Sequence, residues 1–393
     1  MHVDQLLLAL LVLLTVSALS VGIFSRLGLG SILGLLMAGV VVGPSGLGLA
    51  RRAAELREIS ELGIVLLLFV IGLEMQPQRL WALRRALFGL GAAQVVITGA
   101  LMAGYARLMG IPTEPAIVLG FGFALSSTAV VVQLLEERGE LDTEHGRTTF
   151  AILLFQDLAI VPLLALVPAL ADQAPMPAHG SLVQRIALVG AALVALYIIG
   201  RFVLPAALQR LTGDAFALIA MAAVFGAAWL MLQVGLSMAL GAFAMGVLLS
   251  ESPYRGEIER VVEPLKGMLV GLFFIAVGMS IDIGSLPPGG PWLALQLLVL
   301  VVIKGVVVLA LCLAFGLGWR PALRVALLLP QCGEFGFVIF GAAVAAGLLS
   351  PMQFVYAALL ISASMAATPL LAKLADRIGA DDQPIPTPTR TAL

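Results

Sequence analysis

Charged residues are scarce in this sequence, and so are the residue types that cross-link small soluble domains or bind metals. Of its 393 residues only 11% are charged, and it contains two cysteines and three histidines. Soluble domains average roughly 25% charged residues. The cysteines lie in apolar stretches and predict no disulfide framework. The histidines lie outside those stretches without metal-ligand spacing, so no zinc site is predicted.

An excess of positive charge is also missing, as are the common motifs of intramembrane hydrolases. The net charge of −1 leaves no electrostatic footprint for nucleic acid. Neither a His-Glu-x-x-His nor a Gly-x-Ser-x-Gly motif is present. We therefore predict a protein that is not an enzyme, binds no nucleic acid and needs no cofactor.

Apolar residues make up 61% of the chain, and this surplus needs lipid as a solvent. Apolar segments near the roughly 20 residues that cross a bilayer recur along the whole sequence. We predict an all-α integral membrane protein of about 13 transmembrane helices. The predicted spans are about 4–24, 31–43, 59–74, 85–108, 115–135, 148–170, 184–203, 214–233, 238–249, 265–281, 292–317, 323–347 and 352–374.

The distribution of lysine and arginine predicts the orientation of these spans. Sixteen of the 22 basic residues fall in loops on one side and five on the other, and Lys304 lies inside a span. Basic loops stay in the cytoplasm. We therefore expect a multi-pass protein of the inner (plasma) membrane with its N-terminus outside and its C-terminus in the cytoplasm.

Two stretches of the chain recur at a nearly constant offset. Leu33–Val40 resembles Leu240–Val247 at an offset of 207, and Leu68–Gly72 resembles Phe274–Gly278 at an offset of 206. The offset covers seven predicted spans, an odd number, so the two copies run in opposite directions through the membrane. Inverted repeats are typical of transporters, whose substrate site lies near the bilayer midplane where the repeats meet.

Three ionisable residues lie near the middle of predicted spans, namely Asp157, Lys304 and Glu334. A charge at the bilayer centre costs about 2.5–3.5 kcal/mol on the insertion scale, so each of them needs a reason. One reason is an ion pathway. The other is a structural ion pair in which Lys304 neutralises Asp157 or Glu334 and merely holds helices together.

Helix-breaking residues accompany these charges in two spans, within Ala124–Thr128 and Pro330–Gly336. Irregular backbone is tolerated at membrane depth only where it lines a protein cavity. Position 126 plus the repeat offset of 206 gives position 332, so the two breaks are equivalent and predict crossed broken helices around a site. The predicted ion and proton site comprises Asp157, Gln156, Ser126, Ser127, Thr128 and Glu334, with Lys304 as charge partner and Pro330, Gly333 and Gly336 as helix breakers. For Gln156, a hydrogen bond between helices is the alternative to cation ligation.

The motifs Phe155–Asp157, Ser126–Thr128 and Gly333–Phe335, together with Gly72–Glu74 and Gly271–Ser280, resemble the membrane domain of Kef-type potassium:proton antiporters. The resemblance covers about residues 5–375. It implies a sodium/proton-exchanger-like fold and a homodimer. In such relatives the aspartate that matches Asp157 binds cation and proton in competition.

The resemblance also implies an internal division of a transmembrane domain over residues 1–380. Spans within about 4–75 and 214–282 would form a scaffold, and spans within about 83–172 and 291–375 a mobile core, with a linker at about 184–204. Full Kef proteins continue into a nucleotide-binding regulatory domain, which we expect to be absent here because only residues 381–393, expected to be a disordered stub, follow. The loop Tyr254–Pro264 lacks the acidic centre that restrains that domain, so glutathione or nucleotide gating is not predicted.

The predicted function is thus antiport of a monovalent cation for protons by alternating access. The resemblance favours K⁺, and the alternatives are a Na⁺-selective antiporter and a cation channel. Gln156 stands where some related antiporters carry a second acidic residue. One carboxylate at that position predicts one proton per cation, although Lys304 or Glu334 could carry a second proton. The expected partners are therefore K⁺ or Na⁺, H⁺, the lipid bilayer and a second copy of the chain.

Overall fold

A computed structural model describes residues 3–27, 29–44, 46–48, 53–75, 84–171, 182–281 and 290–378 of the chain. Throughout these ranges the regular structure is helical. The helices are α1 Val3–Arg26, α2 Gly30–Val42, α3 Ala53–Glu74, α4 (π-helical Ala86–Gly91 and then Ala92–Leu108), α5 Thr113–Ala124, α6 Thr128–Glu137, α7 Glu144–Leu170, α8 (Leu182–Ile198, π-helical Ile199–Val203 and Leu204–Leu208), α9 Gly213–Gln233, α10 Met238–Leu249, α11 Arg255–Met279, α12 Gly290–Ala314, α13 Trp319–Leu328, α14 Glu334–Ala345 and α15 Pro351–Asp376. The predicted stub 381–393 lies outside the described residues.

The helices have the length and composition of membrane spans. Among the described residues, eight helical stretches are long and apolar enough to cross a bilayer, and five shorter apolar helices accompany them. Large apolar side chains also stay exposed on them, for example Leu218 at 70% and Leu298 at 58%, as expected for faces that contact lipid. The all-α membrane architecture predicted from the sequence is confirmed, and the count of thirteen spans stays a prediction.

The chain divides into two compact units. The first comprises Met1–Leu27, Ser31–Ala82 and Val161–Leu286, and the second comprises Gly28–Gly30, Leu83–Ile160 and Pro287–Leu393. Helix α7 contributes to both, since the boundary falls after Ile160. The assignment of scaffold, core and linker roles stays a prediction.

The inverted repeat is visible in the packing of the first unit. A Cβ on Gly39 of α2 would lie 2.8 Å from the Gly278 Cα of α11. At the equivalent place, a Cβ on Gly246 of α10 would lie 3.0 Å from the Gly72 carbonyl carbon of α3. Glycine at these four positions lets the backbones touch, as small residues do at membrane helix contacts. Each repeat thus packs its short helix on the long helix of the other, and the predicted inverted repeat is confirmed.

Both predicted helix breaks are present in the second unit. Helix α5 ends at Ala124, Leu125 and Ser127 are extended, and α6 begins at Thr128. The Ser127 side chain caps α6 by accepting a hydrogen bond from the Val130 N–H at 3.4 Å. Helix α13 likewise ends at Leu328, and α14 begins at Glu334 after an extended Gly333. The second break contains Pro330, which has no N–H to continue a helix.

Candidate functional site

The two extended segments touch directly where the helices are interrupted. The Gly333 N–H donates to the Leu125 carbonyl oxygen at 3.0 Å. The Ser126 hydroxyl donates to the Leu329 carbonyl oxygen at 2.8 Å. A Cβ on Gly333 would lie only 2.6 Å from the Ser126 carbonyl carbon, so a side chain there would force the segments apart. The breaks therefore form a tight crossing stabilised by backbone groups that helices would otherwise satisfy.

The Asp157 carboxylate lies beside this crossing, in the middle of α7. Its Oδ1 atom accepts a hydrogen bond from the Thr128 hydroxyl at 2.8 Å, and the residue is 9% exposed. Thr128 is the first residue of α6. The unpaired N–H groups at a helix N-terminus carry partial positive charge, which stabilises a nearby anion. The hydroxyl of Thr128 and the N-terminus of α6 therefore both favour a negative group at this depth.

Gln156 uses both ends of its amide to hold the crossing. Its Oε1 accepts from the Ser126 N–H at 2.7 Å, and its Nε2 donates to Gln94 Oε1 at 2.7 Å. Gln94 in turn donates to the Thr98 hydroxyl at 3.1 Å and to the Ala124 carbonyl oxygen at 3.2 Å. The amide predicted as a cation ligand is thus engaged with protein groups, and its geometry is that of a residue that positions the break.

Lys304 meets the same two half-helices from α12. Its Nζ donates to the Phe123 carbonyl oxygen at 3.0 Å and to the Gln331 carbonyl oxygen at 2.6 Å, and the residue is fully buried. These carbonyls lie at or just beyond the C-terminal ends of α5 and α13, which carry partial negative charge. The sequence predicts Lys304 as partner of a carboxylate. Among the described residues it instead neutralises two helix ends, because interrupted helices expose carbonyls that a sequence pattern does not mark.

Glu334 opens helix α14 on the other side of the crossing. Its carboxyl group lies beside the Ser127 side chain, and its buried Oε2 atom has no hydrogen-bond partner within the described part of the chain. Gly336 lies two residues further, where a Cβ would come within 2.8 Å of Ile361 Cδ1. Pro330 is buried in the extended segment. All ten predicted residues therefore lie in the second unit, on or next to the crossing.

Two features of the site escape sequence reasoning. Ser364 of α15 is fully buried and accepts a hydrogen bond from the Cys332 N–H at 3.0 Å, which anchors the second break. A single serine in an apolar span is a weak signal, because such residues commonly bond to their own helix. The second feature is the pair of carbonyls that hold Lys304, since backbone groups have no signature in the sequence.

The arrangement offers oxygen atoms rather than soft ligands. A carboxylate, neighbouring hydroxyls and backbone carbonyls suit alkali cations and protons, whereas nitrogen and thiolate ligands select transition metals. Within the described ranges, no group of three or more His, Cys, Asp or Glu residues could hold a metal ion. The chemistry of these donors is therefore that of a site for protons or weakly held monovalent cations.

Curated relatives support the resemblance noted in the sequence. The glutathione-regulated potassium-efflux system protein KefC of Escherichia coli (strain K12) is 43% identical over 372 residues. KefC of Shigella boydii serotype 18 shows the same identity over the same length. Each alignment covers 94% of this chain and 60% of the relative, so the chain spans about three fifths of the length of these proteins. The Kef-type resemblance predicted from the sequence is confirmed.

Solved structures give the fold. The sodium proton antiporter MjNhaP1 from Methanocaldococcus jannaschii at pH 8 is similar at a TM-score of 0.66 and 17% identity, over 95% of this chain and 98% of that one. A second structure of MjNhaP1 is similar at a TM-score of 0.61 and 16% identity, over 98% of this chain and 100% of that one. The predicted exchanger-like fold is confirmed. The family described as sodium/hydrogen exchanger, transmembrane, matches residues 11–373, and the chain belongs to this family.

Proposed function

We propose that this protein exchanges a monovalent cation, K⁺ in preference to Na⁺, for protons, with Asp157 binding one or the other. One observation carries the proposal: the Asp157 carboxylate accepts a hydrogen bond from the Thr128 hydroxyl at 2.8 Å, beside the crossing of two interrupted helices. The preference for K⁺ rests on relatives that are named as potassium-efflux proteins.

Competition at one buried carboxylate is enough to couple the two fluxes. An ionised carboxylate inside a membrane is costly unless it is paired or protonated. Either a cation or a proton therefore neutralises Asp157 while the site crosses between the two aqueous phases. An empty site keeps its charge and does not cross. Binding of one ion on each side must then release the other, and exchange follows without a leak.

Access to Asp157 would alternate because a core over about 83–172 and 291–375, which holds the crossing, moves against a scaffold over about 4–75 and 214–282. A single cysteine in place of Ser127, in a background without Cys312 and Cys332, reports this motion. Membrane-impermeant maleimide should label it from one side in any one state. Labelling from both sides at once in a single state would favour a channel.

Several properties of the predicted assembly belong to the same proposal. The protein would work as a homodimer in the inner membrane, with its N-terminus outside and its C-terminus in the cytoplasm. Cross-linking in native vesicles tests the dimer. Reporter fusions to each terminus test the orientation, and a cytoplasmic signal from the N-terminal fusion would contradict it.

Proteoliposomes with a trapped pH indicator test the exchange itself. Addition of K⁺, Na⁺, Rb⁺ or Li⁺ should change the internal pH, and Asp157→Asn should abolish the change because an amide neither titrates nor attracts a cation. Asp142→Asn is the matched control, since Asp142 is an exposed loop residue whose Oδ1 forms an exposed ion pair with Arg147 Nη2 at 3.4 Å. Exchange retained in Asp157→Asn would reject Asp157 as the carrier. Cation flux without proton movement would favour the channel.

A further inference from the structure

A cavity of about 220 Å³ lies inside the second unit, at the end where α4 finishes and α12 and α15 begin. Four helices each give it one face, with Met102 and Tyr105 from α4, Leu119 from α5, Trp292 from α12 and Leu360 from α15 among the lining residues. Most of this lining is apolar. Apolar cavities of roughly 150 Å³ already hold a benzene molecule, so this one accommodates a hydrocarbon segment of several methylene groups.

The polar groups in the lining belong to Tyr105, Gln296, Gln353 and Tyr356. The Tyr105 hydroxyl donates to Gln296 Oε1 at 2.9 Å, which fixes the orientation of the Gln296 amide. The Nε2 atom of that amide is buried and has no hydrogen-bond partner among the described residues. A buried donor without a partner is costly. The cavity therefore fits a ligand with an apolar body and one hydrogen-bond acceptor.

The depth of Gln296 in the membrane identifies the class of acceptor. Helix α12 has 25 residues and is therefore about 37 Å long, which exceeds a hydrocarbon core of about 30 Å. Gln296 lies in its second turn, and helical side chains lean toward the N-terminus. The amide thus reaches the boundary between the hydrocarbon and the headgroups, where the ester carbonyls of phospholipids lie.

The mouth of the cavity is continuous with a surface suited to lipid. Trp292 lines the cavity and is 49% exposed, at the level where tryptophans mark the membrane interface. The same helix continues with exposed Leu295, Leu298 and Val302, which form one apolar stripe. A lipid on this stripe needs only to bend one chain inward to enter.

We propose that this cavity binds an acyl chain of a membrane phospholipid, whose ester carbonyl oxygen accepts a hydrogen bond from Gln296 Nε2. The acyl chain would end against Phe123, whose ring packs edge-on against that of Phe340 of α14 with the ring centroids 4.9 Å apart. Because the Phe123 carbonyl also holds Lys304, the bound chain supports both half-helices. This site is separate from Asp157, and its existence does not depend on which ion is exchanged.

Photolabelling in vesicles tests the site. The full chain is reconstituted in phosphatidylethanolamine and phosphatidylglycerol with a diacyl phosphatidylethanolamine that carries a diazirine in the acyl chain, and adducts are mapped by mass spectrometry. We expect adducts on Met102 and Leu360. Ala357→Phe fills the cavity and should lower them about tenfold, whereas Ala294→Phe, at an exposed position of α12, should leave them unchanged.

Competition by unlabelled lipid tests the hydrogen bond and works on the unaltered protein. A diester phospholipid should compete with the probe about fivefold better than its diether analogue, which lacks the carbonyl acceptor. In Gln296→Leu the two lipids should compete equally. The proposal is overturned if cavity residues are labelled no more than exposed Leu298, or if the two lipids compete equally in the unaltered protein.

Discussion

At the scale of single residues, several buried polar side chains of the crossing hold backbone groups, and Asp157 is the one that we propose as the ion and proton carrier. Asp157 accepts a hydrogen bond from the Thr128 hydroxyl at 2.8 Å. Gln156 Nε2 instead donates to Gln94 Oε1 of α4 at 2.7 Å, and Lys304 Nζ donates to the Gln331 carbonyl oxygen of the second break at 2.6 Å. This division separates positioning from ion binding and makes the two roles distinguishable by mutation.

Gln156→Leu should destabilise the protein by about 2 kcal/mol or more, because it leaves the buried Ser126 N–H and Gln94 Oε1 without their partner. The apparent melting temperature in detergent reports the loss. Gln133→Leu is the control, since Gln133 is exposed on α6 and bonds only to the exposed Glu137 at 2.9 Å. A Gln156→Leu protein of normal stability with weakened K⁺ affinity would instead support the role of cation ligand predicted from the sequence.

At this scale the sequence predicts the charged side chains of the site but not the backbone groups that bind them. Asp157, Lys304 and Glu334 are found because a charge in an apolar span is costly. The partners of Lys304 are not found, because the Phe123 and Gln331 carbonyls belong to the backbone and become available only when the helices break. The function of Gln156 was open for the same reason, since its partner Ser126 offers an N–H that a continuous helix would use itself.

At the scale of elements, the two interrupted helices depend on glycine at their point of contact. Gly333→Ala should abolish exchange and lower stability, because its Cβ would lie 2.6 Å from the Ser126 carbonyl carbon and backbone cannot yield there. Gly341→Ala, in the same half-helix α14, meets nothing within 4 Å and should be silent. Exchange rates in proteoliposomes and melting temperatures compare the two. Equal behaviour of the two variants would refute the tight crossing.

The half-helices are also tied together at the end away from the lipid cavity. Arg324 of α13 donates to Glu140 Oε1 at 2.7 Å, and His145 Nε2 lies 3.1 Å from Glu140 Oε2. The Arg324 side chain is 6% exposed and that of Glu140 20%. This cluster links the segment after α6 to the helix before the second break.

Arg324→Ala should destabilise the protein by about 2 kcal/mol, less than a fully buried pair would lose because Glu140 keeps some contact with solvent. Arg147→Ala, which removes an exposed pair with Asp142 at 3.4 Å, should change stability by less than about 0.5 kcal/mol. Thermal unfolding in detergent compares the two variants. A melting temperature as high for Arg324→Ala as for Arg147→Ala would show that the cluster contributes nothing to stability.

The elements themselves were predictable to different degrees. The breaks could be placed because Pro330, the nearby glycines and the serines of the first break disrupt helices and recur at the repeat offset. The close packing of Gly39 on Gly278 and of Gly246 on Gly72 follows from the same repeat. The cavity proposed to bind lipid was not predictable. It depends on the spacing between four helices, and none of the four has a sequence pattern that marks a cavity.

At the scale of the whole molecule, the proposed cycle moves one proton against one cation and therefore no net charge. Lys304 donates to two carbonyls and has no carboxylate partner in the described part of the chain, so the proposed cycle assigns its single proton to Asp157. Reconstituted protein on a solid-supported membrane should give no sustained current during K⁺/H⁺ exchange. A current that scales with the exchange rate would require a second charge carrier, for which Glu334 and Lys304 are the candidates.

The central claim is that cation and proton compete for the Asp157 carboxylate, and proton release on cation binding measures this directly. Detergent-solubilised protein in weakly buffered solution is titrated with K⁺ while a pH indicator reports free protons. As the starting pH is lowered so that the site begins protonated, release should approach about one proton per K⁺ bound, and Asp157→Asn should release none. Saturable K⁺ binding without proton release at every pH, or release that persists in Asp157→Asn, would contradict the account.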